Sequence, residues 1–111
     1  MRYLCLVYME ERTLQDVPDS ECLAYGESLR KSGRYLAAGP LERVETATTV
    51  RVRNGKVSLT DGPFAETKEQ LAGFYLIDAA DLDEAVRLAA KIPPARVGAV
   101  EVRPVRELTA S

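Results

Sequence analysis

Two runs of this chain, residues 3–8 and 71–77, are apolar on both faces that a β-strand would present. A strand lined that way has to be covered on both sides, as the central strands of a sheet are. Between and after them lie two segments with helical spacing. Asp19 or Ser20 can cap a helix running to about Ser32, with Leu23, Gly26 and Leu29 as its apolar positions and Gly33 at its end. Asp81 with Glu84 forms an acidic capping box ahead of Leu82, Ala85, Val86 and Ala89, and Pro93-Pro94 closes that helix. Residues 35–41 and 98–105 read as further strands, the second alternating Val100 and Val102 against Glu101 and Arg103. Residues 46–53 and 56–60 flank Asn54-Gly55, a strong hairpin signal, which pairs Val52 with Val57 and Val50 with Leu59 on one face. Arg51 then faces Ser58, and Arg53 faces Lys56, on the other.

The order is βαββαβ with an inserted hairpin, which predicts an α+β, ferredoxin-like sandwich occupying residues 1–111 as one domain. Two helices cover only one face of such a sheet. The second face therefore calls for another cover, and a second copy of the chain is the simplest supply.

Composition narrows the function. With 46% hydrophobic and 29% charged residues the chain has the balance of a globular protein. Its net charge of −2 argues against nucleic-acid binding through a general basic surface. No apolar run reaches the roughly 18–20 residues that span a bilayer, and the first nine residues lack a signal-peptide pattern, so a cytoplasmic protein is expected. Cys5 and Cys22 follow no metal spacing and read as buried thiols. Histidine is absent, which removes the commonest general base and metal ligand; no metal and no cofactor are expected. Acid-base chemistry would fall to carboxylates, tyrosines, lysines or cysteines.

Residues 61–77 carry the candidate chemistry. Asp61-Gly62-Pro63 is a run of turn formers that fixes an acidic side chain on a rigid corner, just ahead of the strand containing Gly73 and Tyr75. Asp61 has two readings: an Asx-type turn residue accepting backbone N–H groups, or a general base whose pKa burial would have to raise. Glu101 and Arg103 lie two apart and share a face; Arg103 is either an anion anchor or one half of a structural ion pair. Tyr8 and Tyr75 are expected near the cleft. Gly39, ahead of Pro40, is either a close-approach point for a ligand or a strand-end bulge.

The stretch Asp61-Gly62-Pro63-Phe64 followed by Glu66-Thr67-Lys68-Glu69 resembles the signature of the DGPF branch of the YCII-related proteins. The likeness continues through Asp81–Ala85 to Val100–Val105. It implies membership of the dimeric α+β barrel group, in which two sheets pack face to face as a homodimer. It also implies a helix-borne histidine paired with an aspartate as an acid-base dyad. The histidine position falls on or near Cys22, so Asp61 keeps its place without its usual partner. Genes of this kind often stand beside extracytoplasmic-type sigma factors, which implies a regulatory link. Three classes of function follow: a small-molecule-binding dimer with a cleft near Asp61 and Arg103, a lyase- or isomerase-type enzyme with Asp61 as base, or haem or redox-metal chemistry as in some relatives of the barrel fold. The absence of histidine speaks against the third.

Overall fold

The computed structural model describes residues 1–110. The regular elements are β1 (Arg2–Met9), α1 (Asp19–Lys31), β2 (Tyr35–Pro40), β3 (Thr48–Arg53), β4 (Lys56–Asp61), β5 (Gln70–Asp78), α2 (Leu82–Ala89) and β6 (Ala99–Pro104). Short 3₁₀ turns fill Glu11–Asp16, Val44–Thr46 and Pro93–Arg96. Four strands make one sheet in the order β2-β5-β1-β6, with every neighbour antiparallel. The two apolar runs are thus the central pair, and both helices lie on one side: the ferredoxin-like arrangement expected from the element order.

Strand alternation decides what the helices cover. Tyr3, Cys5, Val7 and Met9 of β1 point into the core, together with Tyr75 and Ile77 of β5, and Val100 and Val102 of β6 pack against them. Leu29 of α1, Ala85 and Ala89 of α2, and Ile92 just beyond complete that core. The α1 stripe differs from the expected one. Leu23 is 72% exposed, while Cys22, Tyr25, Gly26 and Leu29 face inward, an i, i+3, i+4, i+7 set that starts one residue earlier. In α2 the inward stripe is Ala85, Leu88 and Ala89, leaving Leu82 and Val86 about half exposed.

The helix starts differ as well. Pro18 precedes α1 and no side chain caps it, so Asp19 and Glu21 act only as first-turn charges near the positive end of the helix dipole. At α2 the expected cap is made, with the Glu84 carboxylate reaching the amide one residue before the N-cap Asp81. The Glu84 amide donates to Asp81 Oδ1 at 2.9 Å, and Glu84 Oε1 accepts from the Ala80 amide at 2.9 Å.

The hairpin turns through Asn54 (φ 52°) and Gly55 (φ 74°), both left-handed as a type I′ turn requires. Its register places Val50 opposite Leu59, Val52 opposite Val57, Arg51 opposite Ser58 and Arg53 opposite Lys56. This pair forms a sheet of its own, projecting as an arm from the body. The chain measures 46 × 45 × 19 Å. Its radius of gyration is 15.8 Å, against about 13 Å for a compact chain of this length. The molecule is a two-layer slab with an arm.

Candidate functional site

The residues of β1 and β5 that alternate with the core positions form the open sheet face. Leu4, Leu6 and Tyr8 of β1 and Phe74 and Leu76 of β5 stand there half-buried, with no helix over them. Glu101 and Arg103 of β6 are cross-strand neighbours of Leu6 and Leu4 and lie on the same face. Arg103 donates to Glu101 Oε2 at 3.1 Å, with the two side chains 68% and 44% exposed. Arg103 is therefore paired within the chain and open to solvent.

At the Tyr8 end the sheet changes shape. The β1–β5 register shifts between Val7 and Tyr8, leaving Ala72 as an extra residue in β5 whose carbonyl accepts from the Leu41 amide at 2.8 Å. Beside this bulge lies a wide, open hollow of about 590 Å³ lined by Tyr8, Glu10, Thr67, Lys68 and Glu69. Its charges are organised. Glu10 accepts from Arg12 and lies 3.4 Å from Lys68 Nζ. The hydrogen bond from Arg12 chiefly, with Lys68 adding to it, holds the Glu10 carboxyl below its ordinary pKa, against an opposing effect of burial. The signal for Lys68 was present in the Glu66–Glu69 segment; Glu10 gave none, because its role depends on where β1 ends.

A pH prediction follows from Glu10. A depressed folded-state pKa contributes stability that is present above the unfolded value, near 4.5, and is lost as pH falls through the lower folded value. The stability difference between the parent chain and Glu10→Gln is expected at pH 6, to narrow below about pH 4.5, and to close at lower pH. Denaturant titrations of both proteins from pH 6 downwards check this; a difference that does not change with pH removes the pairing from Glu10.

The Asp61-Gly62-Pro63 corner is held by groups other than the aspartate carboxylate. The Gly62 amide donates to Ala47 O at 2.7 Å, and Thr49 Oγ1 donates to Gly62 O at 2.9 Å. Gly62 has φ 108°, which a residue with a Cβ adopts only under strain. Among the described residues the Asp61 carboxylate accepts no hydrogen bond, and the side chain is exposed at the end of β4. The corner leads towards Gln70, opposite Met9, whereas Arg103 sits opposite Leu4. Tyr8 and Leu4 are four residues apart, about 13 Å along the strand. Arg103 therefore stands at the other end of the open face from the hollow.

Tyr75 lies on the helix side of the sheet. Its ring meets Tyr25 edge-on, with centroids 5.3 Å apart at 84°, and Tyr25 in turn donates to Leu88 O at 2.6 Å. Burial pushes the phenol of Tyr75 well above its ordinary pKa. The same cause raises the Cys22 thiol, which a hydrogen bond from Tyr75 partly offsets, and pushes Cys5 up to about 11. Thiols so placed are protonated and unreactive at neutral pH. Gly39 lies opposite Phe74, and a Cβ there would stand 3.2 Å from the Phe74 ring. The close approach that glycine permits is filled by the chain's own aromatic. Among the described residues no three His, Cys, Asp or Glu side chains converge as a metal site, and no helix is long and apolar enough to cross a membrane.

A YCII-related domain profile matches residues 1–109. The chain belongs to the YCII-related family. An uncharacterized protein of Rhizobium meliloti (strain 1021) is 48% identical over 80 residues, a match covering 65% of this chain. That match spans 64% of the relative's own length. Among solved structures, the 5-chloro-2-hydroxyhydroquinone dehydrochlorinase of Burkholderia phenoliruptrix AC1100, in complex with 2,5-dihydroxybenzoquinone, superimposes with a TM-score of 0.58. It is 21% identical, and the match covers 96% of this chain and 94% of that one. This likeness shows that the YCII-related domain shares its fold with that enzyme.

Proposed function

We propose that this YCII-related domain is a cytoplasmic homodimer that pairs through its open sheet faces and binds a small molecule at the Tyr8 end of that face. The observation that carries the reading is the face itself: Leu4, Leu6, Phe74 and Leu76 are half-buried with nothing of their own chain above them, beside a hollow rimmed with organised charge. Small-molecule sites combine apolar walls with a few placed polar groups; here the hollow holds Tyr8, Thr67 and the charged Glu10, Lys68 and Glu69, and the neighbouring sheet face holds the apolar groups. Tyr8 supplies an aromatic wall with a hydroxyl and Lys68 a cation, while Asp61, exposed at the end of β4, stands outside the hollow's lining. Arg103 serves the dimer face as a paired charge. Both cysteines are free, as suits a reducing compartment. The resemblance supplies a link to an extracytoplasmic-type sigma factor as the regulatory context.

A second reading, catalysis with Asp61 as general base, is favoured by one observation. A carboxylate that accepts no hydrogen bond keeps its lone pairs available for a substrate proton.

The binding reading is tested by thermal shift with planar, hydroxylated ring compounds, starting from 2,5-dihydroxybenzoquinone, the molecule held by the structurally similar enzyme. A ligand at 100 times its dissociation constant stabilises by about 2.7 kcal/mol, a shift of several degrees. Loss of the shift in Tyr8→Ala supports the hollow, and an unchanged shift moves the site elsewhere. Asp61→Asn separates the two readings. It keeps the size of the side chain and removes the proton acceptor, so stability is expected within about 1 kcal/mol of the parent. If a turnover exists and Asp61 is its base, the rate falls by roughly 100- to 10,000-fold. An unchanged rate removes the base.

A further inference from the structure

The β3–β4 arm carries a second uncovered apolar surface. Val50, Val52, Val57 and Leu59 share one face as two cross-strand pairs, and are 60%, 56%, 66% and 67% exposed. A lone two-stranded hairpin is marginally stable at best in water, and one that holds four large apolar groups in solvent needs a cover. The opposite face carries Arg51, Arg53 and Lys56. Cations on one face and apolar groups on the other suit an apolar protein surface, with the cations left towards water or acidic neighbours. They also suit an element lying on an anionic lipid surface, which makes vesicle binding the competing outcome of the test below.

The exposed area leaves room for a second copy as the cover. The chain exposes 7800 Å². A compact monomer of its 12.2 kDa would expose about 6,100 Å², leaving an excess of roughly 1,700 Å². A standard interface removes about 800 Å² from each partner, so one sheet face of ordinary size uses about half of the excess. We propose that the apolar face of each arm packs on the body of a second copy of this chain, so that the two protomers clasp one another. A two-fold pairing covers sheet face and arm together, because both surfaces belong to every copy. The proposal rests on the homodimer reading above and adds a second contact to it.

The test replaces Val50, Val52, Val57 and Leu59 together by threonine, which keeps strand preference and near-native size while removing apolar contact. Sedimentation equilibrium is run on the parent, on this arm variant and on Leu6→Asp in the sheet face. The dimer dissociation constant of the arm variant is expected to rise by about 100-fold or more. Amide exchange over residues 50–59 of the parent is expected to slow as protein concentration rises. An arm variant that dimerises like the parent, while Leu6→Asp is monomeric, overturns the clasp and leaves the sheet-face dimer standing. Exchange in the arm that is independent of concentration overturns it too. Binding of the parent to phosphatidylserine vesicles, lost in the arm variant with no change in dimerisation, would make lipid the occupant and also overturns it. A parent that is monomeric at micromolar concentration removes both the dimer and the clasp.

Discussion

Gly98→Ala is expected to be the most damaging single methyl group that can be added to this chain. A Cβ on Gly98 would stand 2.0 Å from the Tyr8 carbonyl oxygen, 3.1 Å from its carbon and 3.3 Å from Met9 Cα. Every one of those atoms is backbone, so no rotamer change relieves the clash. Nor can the segment slide away. The Gly98 amide is tied to Pro94 O at 2.9 Å on one side, and the β6–β1 ladder begins at Ala99 opposite Tyr8 on the other. Overpacking usually costs about 1–3 kcal/mol, and a backbone-on-backbone collision belongs at or above the top of that range. At about 3 kcal/mol the melting temperature falls by roughly 10 °C or more. Gly26→Ala is the matched control. Gly26 lies inside α1 with nothing within 4 Å of the added methyl, so the better helix former is expected to raise stability by about 0.5–1 kcal/mol. Melting curves of the two variants should therefore move in opposite directions. A Gly98→Ala protein that melts with the parent would show that β6 does not begin against Tyr8.

Leu6→Asp has the largest expected effect on assembly. Leu6 is in mid-strand on the open face, with Phe74 of β5 and Glu101 of β6 as its cross-strand neighbours. Within one chain the site is half-exposed, so the new carboxylate stays hydrated and the fold loses little, about 1 kcal/mol or less. Buried between two sheets, the same carboxylate is an unpaired charge near Glu101, and such a charge costs about 3–5 kcal/mol. The dimer dissociation constant is expected to rise by about a thousandfold. Sedimentation at about 10 μM then reports the 12.2 kDa chain mass for the variant and twice that mass for the parent. If the variant sediments as the parent does, the molecule assembles through some other surface.

Much of the local structure was legible in the sequence. Asn54-Gly55 set a type I′ turn and with it the register of every pair from Val52–Val57 outwards, because a two-residue hairpin leaves one register. Asp81 and Glu84 set the start of α2, since the capping groups lie three residues apart in the chain itself. The apolar runs at residues 3–8 and 71–77 marked the central strands, because only a strand with neighbours on both sides repays that composition. In the α1 stripe Gly26 and Leu29 are buried as expected and only Leu23 was misplaced, because Leu23 outranks Cys22 in hydrophobicity while the helix is turned to bring Cys22 and Tyr25 onto Tyr75.

The candidate site was legible only in part. The sequence named Asp61, Tyr8, Gly39, Tyr75 and Arg103 as single residues. The fold sends them to different places: Tyr8 to the hollow, Tyr75 to the helix side, Gly39 against Phe74, Arg103 onto Glu101 and Asp61 to the base of the arm. Which side of a sheet a tyrosine takes depends on strand parity, and a single bulge at Ala72 resets that parity for the end of β5.

Interactions between residues close in the chain, the Asn54-Gly55 turn and the Asp81–Glu84 cap among them, were therefore determined by the sequence alone. Contacts between residues far apart in the chain, such as Gly98 with Tyr8, Glu10 with Lys68 and Tyr25 with Leu88, were decided only when the sheet and helices packed. The physical reason is that local hydrogen bonds fix φ and ψ over a few residues. The neighbours of a side chain across the core are set by the register and rotation of whole elements, which no short stretch of sequence encodes.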